Sequence, residues 1–260
     1  MKIYNYFNLI FLKALSELNF VKGFYFYNII WITLYPLIQI IIYFFIFSNI
    51  FSAKLGYNDD RSYSYGLYIS CGIIFWKLFL DLVNKTSSIY YDNSNEIKKT
   101  NLPISVMSLS IITGCLIEFI LIFCIFIIFQ IIYLNYFSFY IFHIFYTLIL
   151  FIIFSISIGF LFAPLTLFLK GSNQLVLIFN QLLFWSAPIV YPISIIPKNL
   201  QIIISYNPIT MFINNFHNAL IFEQVPRFLD CIGIIIYTLV FCIISYLVNK
   251  RLYNGILDKI

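Results

Sequence analysis

Residues 185–209 read WSAPIVYPISIIPKNLQIIISYNPI. Four of the chain's eight prolines fall in this stretch, at Pro188, Pro192, Pro197 and Pro208. The runs on either side are apolar enough to sit in lipid. A proline blocks helix continuation and biases the residue before it towards extended backbone. The segment therefore interrupts a helical chain at membrane depth. Broken helices persist there only when protein covers them or when they line a cavity. Pro197 and Pro208 each begin a run of about ten residues, and proline suits the start of a helix. The stretch predicts two short re-entrant helices that dip into the outer leaflet and return, forming an extracytoplasmic gate or vestibule; a loop resting on the membrane surface is the alternative.

Composition sets the solvent. Hydrophobic residues make up 62% of the 260, and charged residues only 10%. The mean hydropathy is +0.96. Soluble domains carry about a quarter charged residues, so this chain's solvent is lipid. A crossing helix needs about 20 apolar residues. Six spans are predicted, at 29–51, 64–83, 106–133, 141–168, 174–191 and 229–249. A β-barrel would need alternating polarity, and runs such as IIYFFIFSNI at 41–50 do not alternate. The fold class is thus all-α integral membrane: one transmembrane domain over 1–260, with an interfacial segment at 1–28, six spans over 29–249 and a tail at 250–260. Pro36 and Pro164 should kink the first and fourth spans. Ser155, Gly159 and Ala163 repeat every four residues, a small-residue stripe suited to close helix packing.

Within 2–19, Ile3, Phe7, Ile10, Phe11, Ala14, Leu15 and Leu18 recur at helical spacing, with Lys13 and Glu17 among the polar residues opposite. This predicts an amphipathic helix lying in the interface plane. Met1 is followed by no short apolar core with a cleavage site, so no removable signal peptide is expected.

The net charge is +5, but the basic residues are scattered between apolar runs. They read as topology signals and not as a nucleic-acid patch. With the N-terminus inside, ten lie on cytoplasmic segments (Lys2, Lys13, Lys22, Lys85, Lys98, Lys99, Lys170, Lys250, Arg251, Lys259) and four outside (Lys54, Arg61, Lys198, Arg227). Lys77 is left near a span end. Both termini are expected in the cytoplasm, and residues 193–225 outside. The loop 84–105 is then cytoplasmic, with a short helix around 94–99 ended by the approach to Pro103. That helix presents Asn95, Glu96, Lys98 and Lys99, with Ile97 able to bury; a solvated loop that merely sets topology is the alternative.

No G-x-x-x-x-G-K-[ST] loop occurs, so the sequence shows no phosphate cradle of its own. No G-x-S-x-G turn marks a nucleophile. His143 and His217 stand apart from any Cys or carboxylate cluster, so no metal site is expected. The five cysteines sit in apolar runs and read as small buried hydrophobes. One ionisable residue stands out. Glu118 lies 12 residues into the third span, about 18 Å deep. A carboxylate there costs roughly 2.5–3.5 kcal/mol on insertion scales. It should face protein or water, or be protonated, either as a conduit or dimer-contact residue or as a structural partner of a neighbouring helix.

The segment Ala187–Tyr191 with Pro192, followed by a link and Asn207-Pro208, resembles the run S-P-I-V-Y-P…N-P of type-2 ABC exporter permeases for polysaccharides, which export O-antigen, capsule or teichoic acid. The loop NEIKKTNLP is similar to that family's N-x-I-K-K-x-x-x-P, matched at Asn95, Ile97, Lys98, Lys99 and Pro103. Glu118 stands where an acid often follows in the third span. Lys170-Gly171 departs from the Arg-Asp pair common before the fifth span, and VKGFYFYNII is less basic than the usual segment before the first. The resemblance implies a permease dimer with two separate ABC ATPase subunits, which would bind ATP and Mg; this chain itself would be no enzyme and hold no cofactor. It implies ATPase coupling through residues 94–99, with Asn95, Glu96, Ile97, Lys98 and Lys99, and through the N-terminal interfacial helix. It also implies a conduit for a lipid-linked glycan, most simply O-antigen, across the bacterial cytoplasmic membrane. Phe184, Trp185, Pro188, Tyr191, Pro192, Pro197, Asn207 and Pro208 become gate or conduit candidates. The same fold moving a small drug or lipid stays open. A membrane glycan enzyme would need catalytic residues that Lys198, Glu223, Arg227 and Asp230 alone do not supply.

Overall fold

A computed structural model describes residues 9–14, 30, 34, 37–38, 41–42, 45–46, 64–100, 104–134, 140, 142–169, 171–222, 224–226 and 228–259. Among these, the helices are α1 (Ser64–Ser87), α2 (Ile89–Asp92), α3 (Ser94–Thr100), α4 (Ile104–Leu134), α5 (Phe142–Phe168), α6 (Asn173–Ser186), α7 (Lys198–Ser205), α8 (Pro208–Leu220) and α9 (Phe228–Lys259), with a single 3-10 turn at Ile193–Ile195 between α6 and α7. The residues described at 9–14 and between 30 and 46 are helical too. Most of the predicted first span lies outside the described residues, as do Lys22, Pro36, Pro103, Lys170, Glu223 and Arg227.

Among the described residues, four helices are long and apolar enough to cross a membrane: Tyr65–Ser87, Ile104–Ile132, Phe142–Phe168 and Phe228–Lys259. These match the predicted second, third, fourth and sixth spans. The predicted fifth span, 174–191, is corrected. Its helix, α6, has 14 residues and reaches about 21 Å, short of the roughly 30 Å hydrocarbon core. It stops where Ala187 turns extended (φ −111°, ψ 147°), because Pro188 disfavours helical backbone in the residue before it. The expected tail at 250–260 is also helical: α9 continues unbroken to Lys259.

α1 is the central post. Leu67, Cys71, Phe75, Phe79 and Leu82 on it are fully buried. Around it, Phe75 stacks on Phe216 of α8 with ring centres 3.6 Å apart, and Phe212 meets both Phe151 and Phe154 of α5. Lipid tails are as apolar as these rings, so the gain is close packing and not expulsion from water. The small-residue stripe on α5 does what its spacing predicts. Ser155 and Ala163 are fully buried, and a Cβ on Gly159 would fall 1.6 Å from Thr86 Oγ1 of α1.

Contacts fix the strand of directions through the bundle. Phe79 meets Phe151 and Phe154, and Thr166 Oγ1 donates to Ser87 O, so α1 and α5 run parallel. Tyr146 pairs with Cys231 and Ser157 with Cys242, so α9 runs parallel to α5. α4 runs opposite: Glu118 is level with Lys77, and Gln130 near its end donates to Leu220 O at the end of α8. Pro164 lies inside α5 and cannot donate to the carbonyl four residues back. That carbonyl, Phe160 O, instead accepts from Asn249 Nδ2 of α9 at 2.8 Å.

Candidate functional site

The proline segment docks on the first half of α1. Ala187 and Ile189 are fully buried. The carbonyls of the intervening and following residues, Pro188 and Val190, are freed from helix and need donors. Tyr68 Oη donates to Pro188 O at 2.9 Å, and Tyr65 Oη donates to Val190 O at 2.8 Å. Ile189 O packs where a Cβ on Gly72 would sit, 2.9 Å from that position. Behind this contact, His217 of α8 donates through Nε2 to Tyr68 O at 3.0 Å. Its ring stacks on Tyr68 with centres 3.7 Å apart. A carbonyl only accepts, so the proton sits on Nε2, and Nδ1 is a buried acceptor with no hydrogen-bond partner among the described residues.

Prolines shape the rest of the segment. Tyr191 Oη donates back to Trp185 O at 2.7 Å across Pro188. Pro192 precedes the 3-10 turn Ile193–Ile195, and Pro197 sits at the N-cap of α7. Pro208 is the first residue of α8. Asn207 caps that helix by accepting from Ile209 N at 3.0 Å, while its Nδ2 donates to Ser186 Oγ at 2.9 Å. One side chain thus joins the end of α6 to the start of α8. Phe184 packs on Trp76 of α1 (5.5 Å between ring centres), whereas Trp185 is exposed. The two short helices expected after Pro197 and Pro208 are both present.

Midway along α1 lies a feature the sequence did not reveal. Lys77 Nζ is 2.8 Å from Asp81 Oδ2 and 2.5 Å from Glu118 Oε1 of α4. Lys77 is not at a span end, as the basic-residue bias suggested; it is the counter-ion of the intramembrane carboxylate. Lys77 and Asp81 are one helical turn apart, the spacing at which such pairs meet. That i,i+4 signal was available. The pairing with Glu118 was not, because it spans two helices.

The far end of α1 carries the predicted coupling segment. α3 covers Ser94–Thr100, close to the expected 94–99. Glu96 and Lys98 are exposed and Ile97 packs on the core; the side chains of Asn95 and Lys99 lie outside the described set. Lys13 of the N-terminal helical segment reaches over to Asn93 Oδ1 at 3.0 Å and Glu96 Oε2 at 2.5 Å. Tyr90 of α2 donates to Asn249 Oδ1 at 2.8 Å. Burial pushes the Tyr90 hydroxyl up to about 12, so it remains a donor at neutral pH. Asn249 therefore links the loop to α9 and, through Phe160 O, to α5. A cavity of about 670 Å³ opens beside α3, with Lys98 and Lys259 on its walls and Gly171 at its rim. Gly171 has φ +86°, a conformation glycine adopts without penalty.

Asn249→Leu should strand both Phe160 O and the Tyr90 hydroxyl. Each unsatisfied buried group costs about 1–3 kcal/mol. A fall in the thermal unfolding midpoint in detergent checks this, with Asn249→Asp, which keeps the acceptor for Tyr90, expected to be milder.

The predicted residues therefore form two groups. The proline-segment candidates Pro188, Tyr191, Pro192, Asn207 and Pro208 gather at one end of α1, and α3 sits at the other. Glu118 lies between them, bound to Lys77. Tyr65, Tyr68, Gly72 and His217 were missed, since nothing local in the sequence tells an anchoring tyrosine from a lipid-facing one.

A family model described as "ABC-2 type transporter" matches residues 12–221. Two curated proteins of Klebsiella pneumoniae, each named "O-antigen export system permease protein RfbA", are similar. One is 25% identical over 193 residues, covering 72% of this chain and 70% of the relative. The other is 25% identical over 190 residues, covering 71% and 69%. Taken with four helices able to cross a bilayer, the match shows that this chain belongs to the ABC-2 type transporter family and is a multi-pass membrane permease, the transport subunit that pairs with an ABC ATPase.

Proposed function

We propose that this permease exports a lipid-linked polysaccharide of the O-antigen class across the bacterial cytoplasmic membrane, as a dimer driven by two ATPase subunits. The observation that carries the reading is the division of labour along α1. A proline segment pinned by Tyr65, Tyr68 and Asn207 caps one end. A short helix with exposed Glu96 and Lys98 stands at the other. The name and coverage of the Klebsiella relatives support the cargo class. Charge bias puts α3, Lys13 and Lys259 on the cytoplasmic side, and places the proline segment at the outer mouth.

In this reading α3 receives the ATPase, and nucleotide-driven motion passes through Lys13, Tyr90 and Asn249 into α5 and α9. The docked segment 187–192 closes the outer mouth. Glu118 acts as a structural partner of Lys77 and does not project alone into the conduit. Trp185, exposed beside Phe184, offers an aromatic face to sugar rings.

Lys98→Glu reverses the charge of an exposed residue on α3. It should lower co-purification of the ATPase and glycan export by at least about tenfold, the equivalent of 1.4 kcal/mol, while leaving permease yield unchanged. Surface glycan, measured after adding the permease and its ATPase to a strain whose own exporter is deleted, tests the cargo. Export that persists without any ATPase would sink the reading.

A further inference from the structure

The coupling end of the bundle holds more than α3. α9 is 32 residues long, about 48 Å, against a hydrocarbon core of roughly 30 Å. Asn249 marks where it leaves that core, because its partner Tyr90 stands just past the end of the crossing helix α1. Residues 250–259 then run on for about 15 Å, farther than a headgroup layer roughly 5–8 Å deep. The overhang is held in place. Ile256 is buried, and a Cβ on Gly255 would lie 3.3 Å from the Phe168 ring at the end of α5.

Its last helical residue, Lys259, lines the cavity of about 670 Å³ beside α3. Ser94 and Lys98, one turn apart on α3, line it too, with Tyr91, the end of α5 and the turn into α6. Lys98 and Lys259 are exposed, and neither has a hydrogen bond or ion pair among the described residues. The other polar groups are neutral. The Thr166 hydroxyl is spent on Ser87 O and Ala163 O, and that of Ser172 on Leu165 O and Leu169 O. Tyr91, Ser94 and Asn173 remain. No carboxylate lines the cavity among the described residues; Asp258, next to Lys259 in the chain, is exposed and lies outside the lining. Lys99 and Lys170 fall outside the described residues and carry the same sign as the two lysines of the wall. Leu252, on the same face of α9 as Lys259, and Leu169, two residues before Gly171, are exposed. Apolar side chains around uncompensated cations, on a surface that stands clear of the headgroups, suit a protein partner with negative charge.

We propose that this cavity is a second docking point for the ATPase subunit, and that an acidic segment of the ATPase enters it and meets Lys98 and Lys259. It rests on the reading that α3 receives the ATPase, and adds the overhang of α9 and the start of α6 to that contact. The start of α6 gives the contact a direct line to the proline segment. α6 is one helix from Asn173 at the cavity to Ser186, and the Ser186 hydroxyl accepts from Asn207 Nδ2 at 2.9 Å.

The test uses the full permease expressed with its ATPase, carrying the photo-crosslinker p-benzoylphenylalanine at Lys98, Asn173, Lys259 or Ile243, the last an exposed residue on the membrane-crossing part of α9. Asn173 and Lys259 should each give a permease–ATPase adduct, as Lys98 does, and Ile243 none. Lys259→Glu should lower the ATPase retained on the purified permease about three- to fivefold, the size expected for one exposed ion pair, whereas Lys259→Arg should retain it. Should Lys259→Glu fail to assemble, the adducts at Asn173 and Lys259 decide. An ATPase adduct at Lys98 without one at Asn173 or Lys259, an adduct there with lipid or with a second permease, or full retention in Lys259→Glu overturns the proposal and leaves the role of α3 standing. Absence of the adduct at Lys98 as well removes both.

Discussion

Lys77→Met should leave little folded permease. The substitution keeps length and removes the ammonium that pairs with both Asp81 and Glu118. Two carboxylates would then face each other at mid-membrane. Removing one partner of a buried ion pair costs about 3–5 kcal/mol, against a total stability of roughly 5–15 kcal/mol for a folded protein. Glu118→Gln should be much milder, because Lys77 keeps Asp81 at 2.8 Å and the amide can still accept from the ammonium. The combined variant Lys77→Met/Asp81→Asn/Glu118→Gln should recover most of the loss, since neutral groups of similar shape need no counter-ion. Fluorescence-detected size exclusion after a temperature ramp gives the ordering. If Glu118→Gln proves worse than Lys77→Met, the cluster is not a structural pair and Glu118 has a separate task in transport.

The ends of the helices were legible because polar and proline residues mark them. Pro197 and Pro208 announced α7 and α8, and Ser94 with Pro103 bracketed α3. The faces of the helices were not legible. In water an apolar stripe points to the core, but in lipid both the core face and the outer face are apolar. α4 is apolar all round, and the sequence could not say that Phe119 and Phe126 point inward while Ile120 and Ile128 point to lipid. For the same reason nothing in the sequence separates Phe75, Phe79, Phe151, Phe154, Phe212 and Phe216, which build the core, from phenylalanines on the outer faces. Cys124 was read as a small buried hydrophobe, and it is exposed. The length of α6 was misjudged for a related reason: hydropathy continues past Ser186, while the backbone turns at Ala187. Composition sees the first and only Pro188 signals the second. The partner of Glu118 was invisible because a contact between helices leaves no periodic trace.

If the docked proline segment closes the mouth of the permease, Gly72→Leu should open it without dismantling the bundle. A Cβ at Gly72 would lie 2.9 Å from Ile189 O, 3.2 Å from the Ile189 side chain and 3.3 Å from His217 Nε2. The closest of these is backbone and cannot rotate away. Overpacking of this kind costs about 1–3 kcal/mol. The bundle below does not depend on this contact, since Phe75, Phe79 and the Lys77 cluster hold α1 to α4, α5 and α8. The strain is therefore relieved where the structure is weakest, in the segment held by the Tyr65 and Tyr68 hydroxyls and the Asn207 amide. Pro188 through Tyr191 should lift from α1. The complex should still assemble with its ATPase, and ATP hydrolysis should continue, but cells should take up small hydrophilic dyes that the parent protein excludes. Gly72→Ala brings the same Cβ against Ile189 O but lacks the rest of the leucine side chain, so it should leak less than Gly72→Leu. Tyr68→Phe, which frees Pro188 O without adding volume, should leak by the same route and should not add to Gly72→Leu when the two are combined. A tight membrane in Gly72→Leu cells with normal export would mean that the docked proline segment is a fixed part of the wall and not the closure of the mouth.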